Sequence, residues 1–142
     1  MALKFERMSF LVFPTHSNHM GTLFGGVILE RIDICAGITA RRALYNNGIP
    51  LNDEIRVLTR HMDEIDFRVP GYTGDLIFLT GEVVEVGNSS LKIRVTVEKE
   101  DMRGRKFIMT TANVVMCLVD HNNLKFNHGL KIDREANCLV KK

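Results

Sequence analysis

The sequence predicts an α+β domain in which an antiparallel sheet wraps around one long central helix. The first observation is the stretch 26–44, which contains no proline and has the residues of a helix roughly 28 Å long. The second is a series of strand-like segments after the helix, joined by short turns. The third is the segment 91–98, where apolar and polar side chains alternate strictly, as in a strand with one buried face.

The elements can be placed in chain order. Residues 4–13 predict a strand that runs into Pro14, and residues 14–20 form a polar loop before the helix. Asn46-Asn47-Gly48 ends the helix, because glycine favours a left-handed cap. Further strands are predicted at 55–67, 75–86, 91–98 and 107–119, with tight turns at 87–90 and 101–105. Residues 121–142 form a polar, weakly patterned tail, so a single domain covers 1–142 with its core at about 4–120.

Composition excludes several classes of protein. A net charge of +2 on 142 residues is too small to indicate a nucleic-acid or membrane-surface partner. No apolar run is long enough to span a membrane, and charges stand where a signal peptide needs its apolar region, so we expect a cytoplasmic protein. Three cysteines, Cys35, Cys117 and Cys138, lie far apart without metal-ligand spacing, and we expect them to be small buried hydrophobes.

One carboxylate of the helix is unusual for its position. The outer side is predicted to carry Glu30, Arg31, Arg41 and Arg42, and the opposite side to carry Gly26, Leu29, Ala36, Gly37 and Ala40. Asp33 falls within that apolar side, where a carboxylate is unfavourable unless it is paired, hydrogen-bonded or used in chemistry. A hydrogen-bonded structural aspartate is the common case, but an apolar setting would also make Asp33 a usable general base.

Other candidate residues precede the helix. Gly25 and Gly26 leave backbone N–H groups free at its positive end, although glycine there also fits simple flexibility. Asn18 is typical of a turn, and His16 and His19 beside it could serve as bases. A serine nucleophile elbow, a phosphate loop, a dinucleotide fingerprint and metal-ligand histidine spacing are all absent from the sequence.

These residues lead to a family resemblance. The hotdog-fold acyl-CoA thioesterases carry a signature similar to Asn18-His-Met-Gly21-Thr-Leu-Phe-Gly25-Gly26 followed by Asp33 and Ala36-Gly37. The best match is the bacterial acyl-CoA thioester hydrolase subgroup, which is related to the tandem-repeat cytosolic acyl-CoA hydrolases of animals. The likeness covers roughly residues 8–120, through Thr59, Asp63, Phe67, Pro70, Gly74-Asp75 and the turn at 87–90. There are two departures: Arg60-His61-Met62 stands where the family usually has small or apolar residues, and residues 126–142 have no clear counterpart.

The resemblance implies hydrolysis of acyl-CoA to a free carboxylic acid and coenzyme A, without a metal or other cofactor. Backbone N–H groups at Gly25 and Gly26 would bind the thioester oxygen. Asp33 would act as a general base on water or as a nucleophile. Asn18 would orient the water or the carbonyl.

The resemblance also implies where coenzyme A binds and how the chain assembles. The turn formed by Gly87, Asn88, Ser89 and Ser90 resembles the family's contact with coenzyme A. Thr59, Arg60 and Arg94 are further candidates, because an arginine fork matches phosphate oxygens. Family practice predicts a dimer, alone or within a hexameric trimer of dimers, whose sites take Asn18 and Asp33 from different subunits.

Two alternatives stay open from the sequence. Hotdog domains also serve as non-catalytic acyl-CoA sensors, which usually accompany a DNA-binding segment. Hotdog dehydratases use a histidine with an acid, and His16 and His19 are the candidates for that role.

Overall fold

A long helix lies against one face of a five-stranded antiparallel sheet in the computed structural model. The structure describes residues 4–52 and 54–142, with the backbone alone for residues 4–6. In chain order the elements are β1 (Lys4–Leu11), a 3-10 turn (Pro14–His16), α1 (Gly25–Asn46), β2 (Ile55–Met62), β3 (Leu76–Val86), β4 (Ser90–Glu100), β5 (Lys106–Asp120), β6 (Leu130–Asp133) and β7 (Cys138–Lys141). This is the α+β architecture that the sequence predicts. Residues 1–3, which contribute to the expectation of no signal peptide, lie outside the described residues.

The large sheet has the strand order β1-β3-β4-β5-β2, and β6 pairs with β7 in a separate hairpin. Ile93 of β4 lies opposite Val83 of β3 and Val114 of β5, and all three side chains are buried. The strict alternation predicted for 91–98 is confirmed, because its apolar side chains point toward the helix and are buried. The edges of the large sheet are β1 and β2, which come before and after the helix in the chain.

The predicted strand 55–67 is too long, because β2 ends at Met62. Arg60 is an extra residue in β2, where the register with β5 shifts between Thr59 and His61. Asp63 then binds β5 through its side chain, and its carboxylate accepts hydrogen bonds from the backbone N–H and the side-chain amide of Asn113, at 3.0 and 2.9 Å. Because the Asp63 carboxylate takes up the backbone N–H of Asn113 on β5, the residues after Asp63 leave the sheet.

The helix buries a face that is rotated from the predicted one. The prediction is correct for Ala36 and Ala40, which are fully buried, but wrong for Gly26 and Leu29, which are exposed. The buried face consists of Ile28, Ile32, Cys35, Ala36, Thr39, Ala40, Ala43 and Leu44. Burial of Ile28 and Ile32 removes more apolar area from water than burial of Gly26 would, and this explains which face of the helix turns toward the sheet.

The helix and sheet approach most closely at Gly81 of β3. A Cβ atom at this position would clash with the hydroxyl of Thr39 on α1 and would lie 3.1 Å from the Thr39 Cβ. Thr39 is fully buried, and its hydroxyl donates a hydrogen bond to the Cys35 carbonyl at 2.8 Å. The absence of a side chain at Gly81 therefore lets α1 lie directly on the sheet.

The C-terminal tail is more ordered than its weak sequence pattern predicts. It forms the β6–β7 hairpin, in which Leu130 and Leu139 are buried and belong to the main hydrophobic core. The hairpin contacts β3. The core therefore extends beyond residue 120.

Within the described part of the chain, no helix is both long and apolar enough to cross a membrane.

Candidate active site

Asp33 lies on the flank of α1 that faces the edge strand β2. Its Oδ1 accepts a hydrogen bond from the hydroxyl of Thr59 on β2, with an oxygen–oxygen distance of 2.6 Å. Asp33 is half-buried and Thr59 is exposed, so the carboxylate borders the core instead of lying inside the apolar face of the helix. The Thr59 hydroxyl fixes the orientation of the carboxylate, whose second oxygen faces no hydrogen-bond donor among the described residues.

The first turn of α1 offers unpaired N–H groups, as the sequence predicts. The helix begins at Gly25 after Phe24, whose side chain makes no capping hydrogen bond, and no acidic side chain lies in the first turn. The N–H groups of Gly25 and Gly26 come before the first residues that can find a partner inside the helix. Together with the positive end of the helix dipole, they can bind an oxygen that carries negative charge.

A small apolar pocket of about 240 Å³ lies beside Gly25. Its walls include Leu23, Ile28, Phe67 and Met109, and none of the described residues that line it is charged. The Phe67 ring closes one side, within 3.6 Å of where a Gly25 Cβ would lie. An uncharged acyl group fits the chemistry of these walls.

Asn18 organises the loop that leads into α1. Its side-chain oxygen accepts hydrogen bonds from the backbone N–H groups of Met20 and Thr22, at 2.9 and 3.2 Å. Gly21 closes the loop with φ 79°, a left-handed conformation that favours glycine. The Asn18 amide NH₂ has no partner among the described residues and can donate to another group.

Within one chain, no described hydrogen bond joins Asn18 to Asp33. The Asn18 loop is anchored to the segment before β3, because the hydroxyls of Ser17 and Thr73 lie 2.9 Å apart. Asp33 is anchored to Thr59 on β2. Two strands of the sheet, β4 and β5, separate β3 from β2.

The loop histidines have different surroundings. His16 is part of the 3-10 turn, where its Nδ1 accepts a hydrogen bond from the backbone N–H of Phe13 at 3.0 Å. The His16 ring stacks on Phe13 and contacts Phe10 edge-on. His19 is exposed, and no described hydrogen bond links either histidine to Asp33. The described chain thus forms no histidine–acid pair at the helix.

The candidates for coenzyme A binding are spread over the sheet: Ser90 of β4 pairs with Cys117 of β5, which pairs with Leu58 of β2, so the 87–90 turn lies two strands from Thr59 and Arg60. Thr59 instead bonds Asp33, and Arg60 is the exposed extra residue next to it. Arg94 lies 3.9 Å from Glu82 in an exposed ion pair on the sheet. The turn Gly87-Asn88-Ser89-Ser90 lies at the end of β3 remote from Gly71, whose carbonyl accepts the Leu23 N–H just before α1.

The C-terminal segment covers the 87–90 turn. The backbone N–H of His128 donates to the Asn88 carbonyl at 3.1 Å, and Lys142 Nζ donates to Asn88 Oδ1 at 3.0 Å. His128 Nδ1 accepts the N–H of Leu130, so a neutral His128 carries its proton on Nε2 and donates to the Ser90 carbonyl at 3.1 Å. Burial lowers the pKa of His128 below its ordinary value of 6.5, and the nearby Lys142 charge lowers it further.

Sequence reasoning missed one buried ion pair near the pocket. Lys99 Nζ lies 3.1 Å from Asp75 Oδ2, and both side chains are almost completely buried. A signal was present, because the inward row of β4 that ends at Val97 has Lys99 as its next member. Lys99 is two residues beyond Val97 and so points to the same buried side of β4. A charged side chain in the core requires a partner.

The remaining predictions concern cysteines and metals. All three cysteines are buried, as predicted. Among the side chains of residues 7–52 and 54–142, no three from His, Cys, Asp or Glu form a cluster that could hold a metal ion. A reaction without metal or cofactor stays a prediction.

Comparisons with known proteins agree on a family. A family model described as the thioesterase superfamily matches residues 20–106. An uncharacterised acyl-CoA thioester hydrolase of Haemophilus influenzae is 28% identical over 136 residues, which cover 93% of this chain and 80% of that protein. A second uncharacterised acyl-CoA thioester hydrolase, from Bacillus subtilis, is 33% identical over 112 residues; these cover 78% of this chain but only 60% of that relative.

Solved structures show the same arrangement of strands and helix. A hexameric hotdog-fold thioesterase of Campylobacter jejuni superposes with a TM-score of 0.69 and 31% identity, covering 84% of this chain and 86% of the other. An acyl-CoA hydrolase from Staphylococcus aureus, solved with butyryl coenzyme A, coenzyme A and coenzyme A disulfide, superposes with a TM-score of 0.73 and 25% identity. That match covers 85% of this chain and 69% of the other.

Proposed function

The chain belongs to the thioesterase superfamily and has the hotdog fold, and on that premise we propose that it hydrolyses acyl-CoA to a free acid and coenzyme A. The observation that carries this proposal is the geometry around α1. The helix carries a carboxylate oriented by Thr59 and, about 12 Å along its axis, two unpaired N–H groups beside an uncharged pocket, so the Asp33 of one copy can serve the helix start of another. Thioester hydrolysis needs an activated water or nucleophile, a binding site for the oxyanion, and a place for the acyl group.

The thioester carbonyl binds at the helix start. Its oxygen accepts hydrogen bonds from the N–H groups of Gly25 and Gly26, and the acyl group enters the pocket between Ile28, Phe67 and Met109. As the carbonyl carbon becomes tetrahedral, negative charge grows on the oxygen, and donors fixed beforehand stabilise it by about 3 kcal/mol each.

Asp33 supplies the base or the nucleophile. As a base it takes a proton from water while the hydroxide adds to the carbonyl carbon, and collapse of the intermediate breaks the carbon–sulfur bond and releases the thiolate, which takes up a proton. As a nucleophile the carboxylate itself displaces the thiolate, and water then hydrolyses the resulting anhydride. The bond from Thr59 holds Oδ1 in either case and leaves Oδ2 for the reaction.

The site is completed by a second copy of the chain. Asp33 lies beside β2, an edge strand with β5 on one side only, so a copy that pairs with this edge approaches Asp33 directly. That copy supplies the N–H groups of Gly25 and Gly26 together with Asn18 from the loop before them, whose free amide orients water or carbonyl. Exposed apolar side chains around the edge, Leu29, Ile34, Tyr45 and Leu58, support such contact. The hexameric thioesterase of Campylobacter jejuni supports assembly into a hexamer.

Coenzyme A binding is assigned to the turn 87–90, Arg60 and Arg94. In one chain Ser90 lies two strands, or roughly 10 Å, from Leu58 and the nearby Arg60, and Arg94 is four residues further along β4. The Staphylococcus aureus hydrolase structures that contain coenzyme A support this ligand class.

The experiment is a thiol-release assay with purified protein and a panel of acyl-CoAs, with and without a chelator. Asp33→Ala is expected to reduce the rate by about two orders of magnitude or more, as loss of a general base does, while the chain still folds. Glu30→Ala is the matched control, since Glu30 is an exposed acid on the same helix and should leave the rate unchanged.

Several outcomes would contradict the proposal. Binding of acyl-CoA without thiol release indicates a sensor, and loss of water from a hydroxyacyl-CoA indicates a dehydratase. A near-normal rate for Asp33→Ala would exclude Asp33 as base or nucleophile. Activity that disappears with the chelator and returns with a divalent metal would exclude the cofactor-free reaction.

A further inference from the structure

The segment 69–72 forms a wall between two cavities. Val69 and Pro70 line the small apolar pocket beside Gly25, and they also line a more open cleft of about 460 Å³ under the β4–β5 hairpin. The wall therefore has empty space behind it as well as in front. Since packed protein does not support its rear face, its position depends on the hydrogen bonds that hold its backbone.

The buried ion pair holds this wall from the cleft side. Lys99 Nζ donates to the Pro70 carbonyl at 2.8 Å and to Asp75 Oδ2 at 3.1 Å. The same Asp75 oxygen accepts the backbone N–H of Tyr72 at 2.9 Å. The carbonyl of Gly71, between these two points, accepts the N–H of Leu23 at 2.8 Å. The pair thus holds Pro70 and Tyr72, the two neighbours of Gly71, and Gly71 in turn binds the segment that leads into α1.

Stability alone does not account for two charges at this place. Lys99 and Asp75 continue the inward rows of β4 and β3, where apolar residues would pack without desolvating charges. Replacing a buried ion pair by apolar residues is often neutral or stabilising. What apolar residues cannot supply is a donor for the Pro70 carbonyl and an acceptor for the Tyr72 N–H.

We infer that Lys99 and Asp75 are positioning residues that set the width of the acyl pocket, and with it the preference among acyl-chain lengths. This inference rests on the proposed thioesterase function. Neither side chain lines the pocket, so both act through the wall. Without the pair, the wall relaxes into the cleft behind it and the pocket widens. The kcat/KM for longer acyl chains then rises relative to that for short ones.

The test uses the double variant Lys99→Met/Asp75→Asn, which removes both charges together. The single variant Lys99→Met leaves Asp75 buried and unpaired and is expected to be clearly less stable, whereas the double variant should recover stability. The readout is kcat/KM for butyryl-CoA divided by kcat/KM for lauroyl-CoA. We expect this ratio to fall about tenfold in the double variant, the scale of one or two methylene groups in an apolar pocket.

The matched control is Lys92→Met/Glu85→Gln, which removes an exposed ion pair of 3.0 Å between the same two strands and should leave the ratio unchanged. If the double variant does not fold, Lys99→Gln/Asp75→Asn replaces it, because two neutral amides leave no buried charge while the ammonium that donates to the Pro70 carbonyl is removed. A folded variant with wild-type stability and an unchanged ratio of the two kcat/KM values would overturn this inference but not the proposed function. Wild-type protein that releases no thiol from any acyl-CoA would instead overturn the proposed function.

Discussion

At the scale of single residues, the carboxylate of Asp33 is oriented by a hydroxyl from another element. The 2.6 Å bond from Thr59 to Asp33 joins the edge strand to the helix flank, and both residues border the surface of one chain. A hydrogen bond to a charged group is stronger than one between neutral groups. Thr59 therefore acts as a positioning residue for Asp33 in the proposed reaction.

Replacing Thr59 by valine tests this role, since valine keeps the branched shape but lacks the hydroxyl. We expect kcat to fall by about tenfold to a hundredfold with little change in KM, the scale of a lost hydrogen bond to a charged group. Thr59→Ser keeps the hydroxyl and should retain most of the activity. Equal kcat values for the valine and serine variants in steady-state assays would show that the hydroxyl does not position Asp33.

Sequence reasoning reaches part of this site. Asp33 could be found because a carboxylate interrupts a row of small apolar residues, and Gly25 because glycine stands at a helix start. The role of Thr59 could not be found, because it depends on how far β2 slides along α1, which no local pattern sets. The Lys99–Asp75 pair could not be found for the same reason. Whether two inward-facing side chains meet depends on the register between β3 and β4, which no local pattern sets.

At the scale of elements, the β6–β7 hairpin and the segment before it are tied to the 87–90 turn through one buried histidine. The neutral His128 ring satisfies both of its nitrogens, one with Leu130 and one with Ser90. A second proton would put a donor on Nδ1 against the Leu130 N–H. Burial and the Lys142 charge keep the pKa of His128 below its ordinary value.

This arrangement predicts a pH-dependent stability. The unfolded chain protonates His128 near its ordinary pKa of 6.5, while the folded chain resists protonation, so below that pH the unfolded state binds more protons. The free energy of unfolding should therefore fall as the pH drops from 7.5 to 5.5, and denaturant titrations measure it. His128→Gln should be less stable at pH 7.5 but should lose part of this pH dependence.

His121→Gln is the control, because His121 is exposed in the turn after β5 and its replacement should preserve the wild-type pH dependence. An equal loss of stability in wild type and His128→Gln between the two pH values would contradict a buried neutral His128.

The elements differ in how well the sequence predicts them. The strand β4 is clear because its apolar and polar side chains alternate over the eight residues 91–98. The hairpin strands β6 and β7 have four residues each, too few for alternation to be recognised, and Asn137 turns the chain with a positive φ of 53°. The end of β2 was also missed, since the Asn113 N–H is bound there by the side chain of Asp63 and not by a backbone carbonyl of the strand.

At the scale of the whole molecule, the proposed active site takes residues from two copies of the chain. Asp33 stands beside the edge strand β2, and Asn18 is anchored to the segment before β3. Exposed apolar side chains lie along the helix and beside β2. A two-fold dimer would cover this edge and create identical sites in pairs, each with Asn18 from one subunit and Asp33 from the other.

Co-expression of Asn18→Ala and Asp33→Ala chains tests this shared site most directly. In the proposed dimer, a mixed pair holds one site with both defects and one site with neither. Random pairing makes about half of the dimers mixed, so thiol release should recover to roughly a quarter of the wild-type rate, far above either variant alone. If both residues act within one chain, each site of a mixed dimer carries a defect. Co-expressed chains as inactive as the separate variants would contradict an active site built from two subunits.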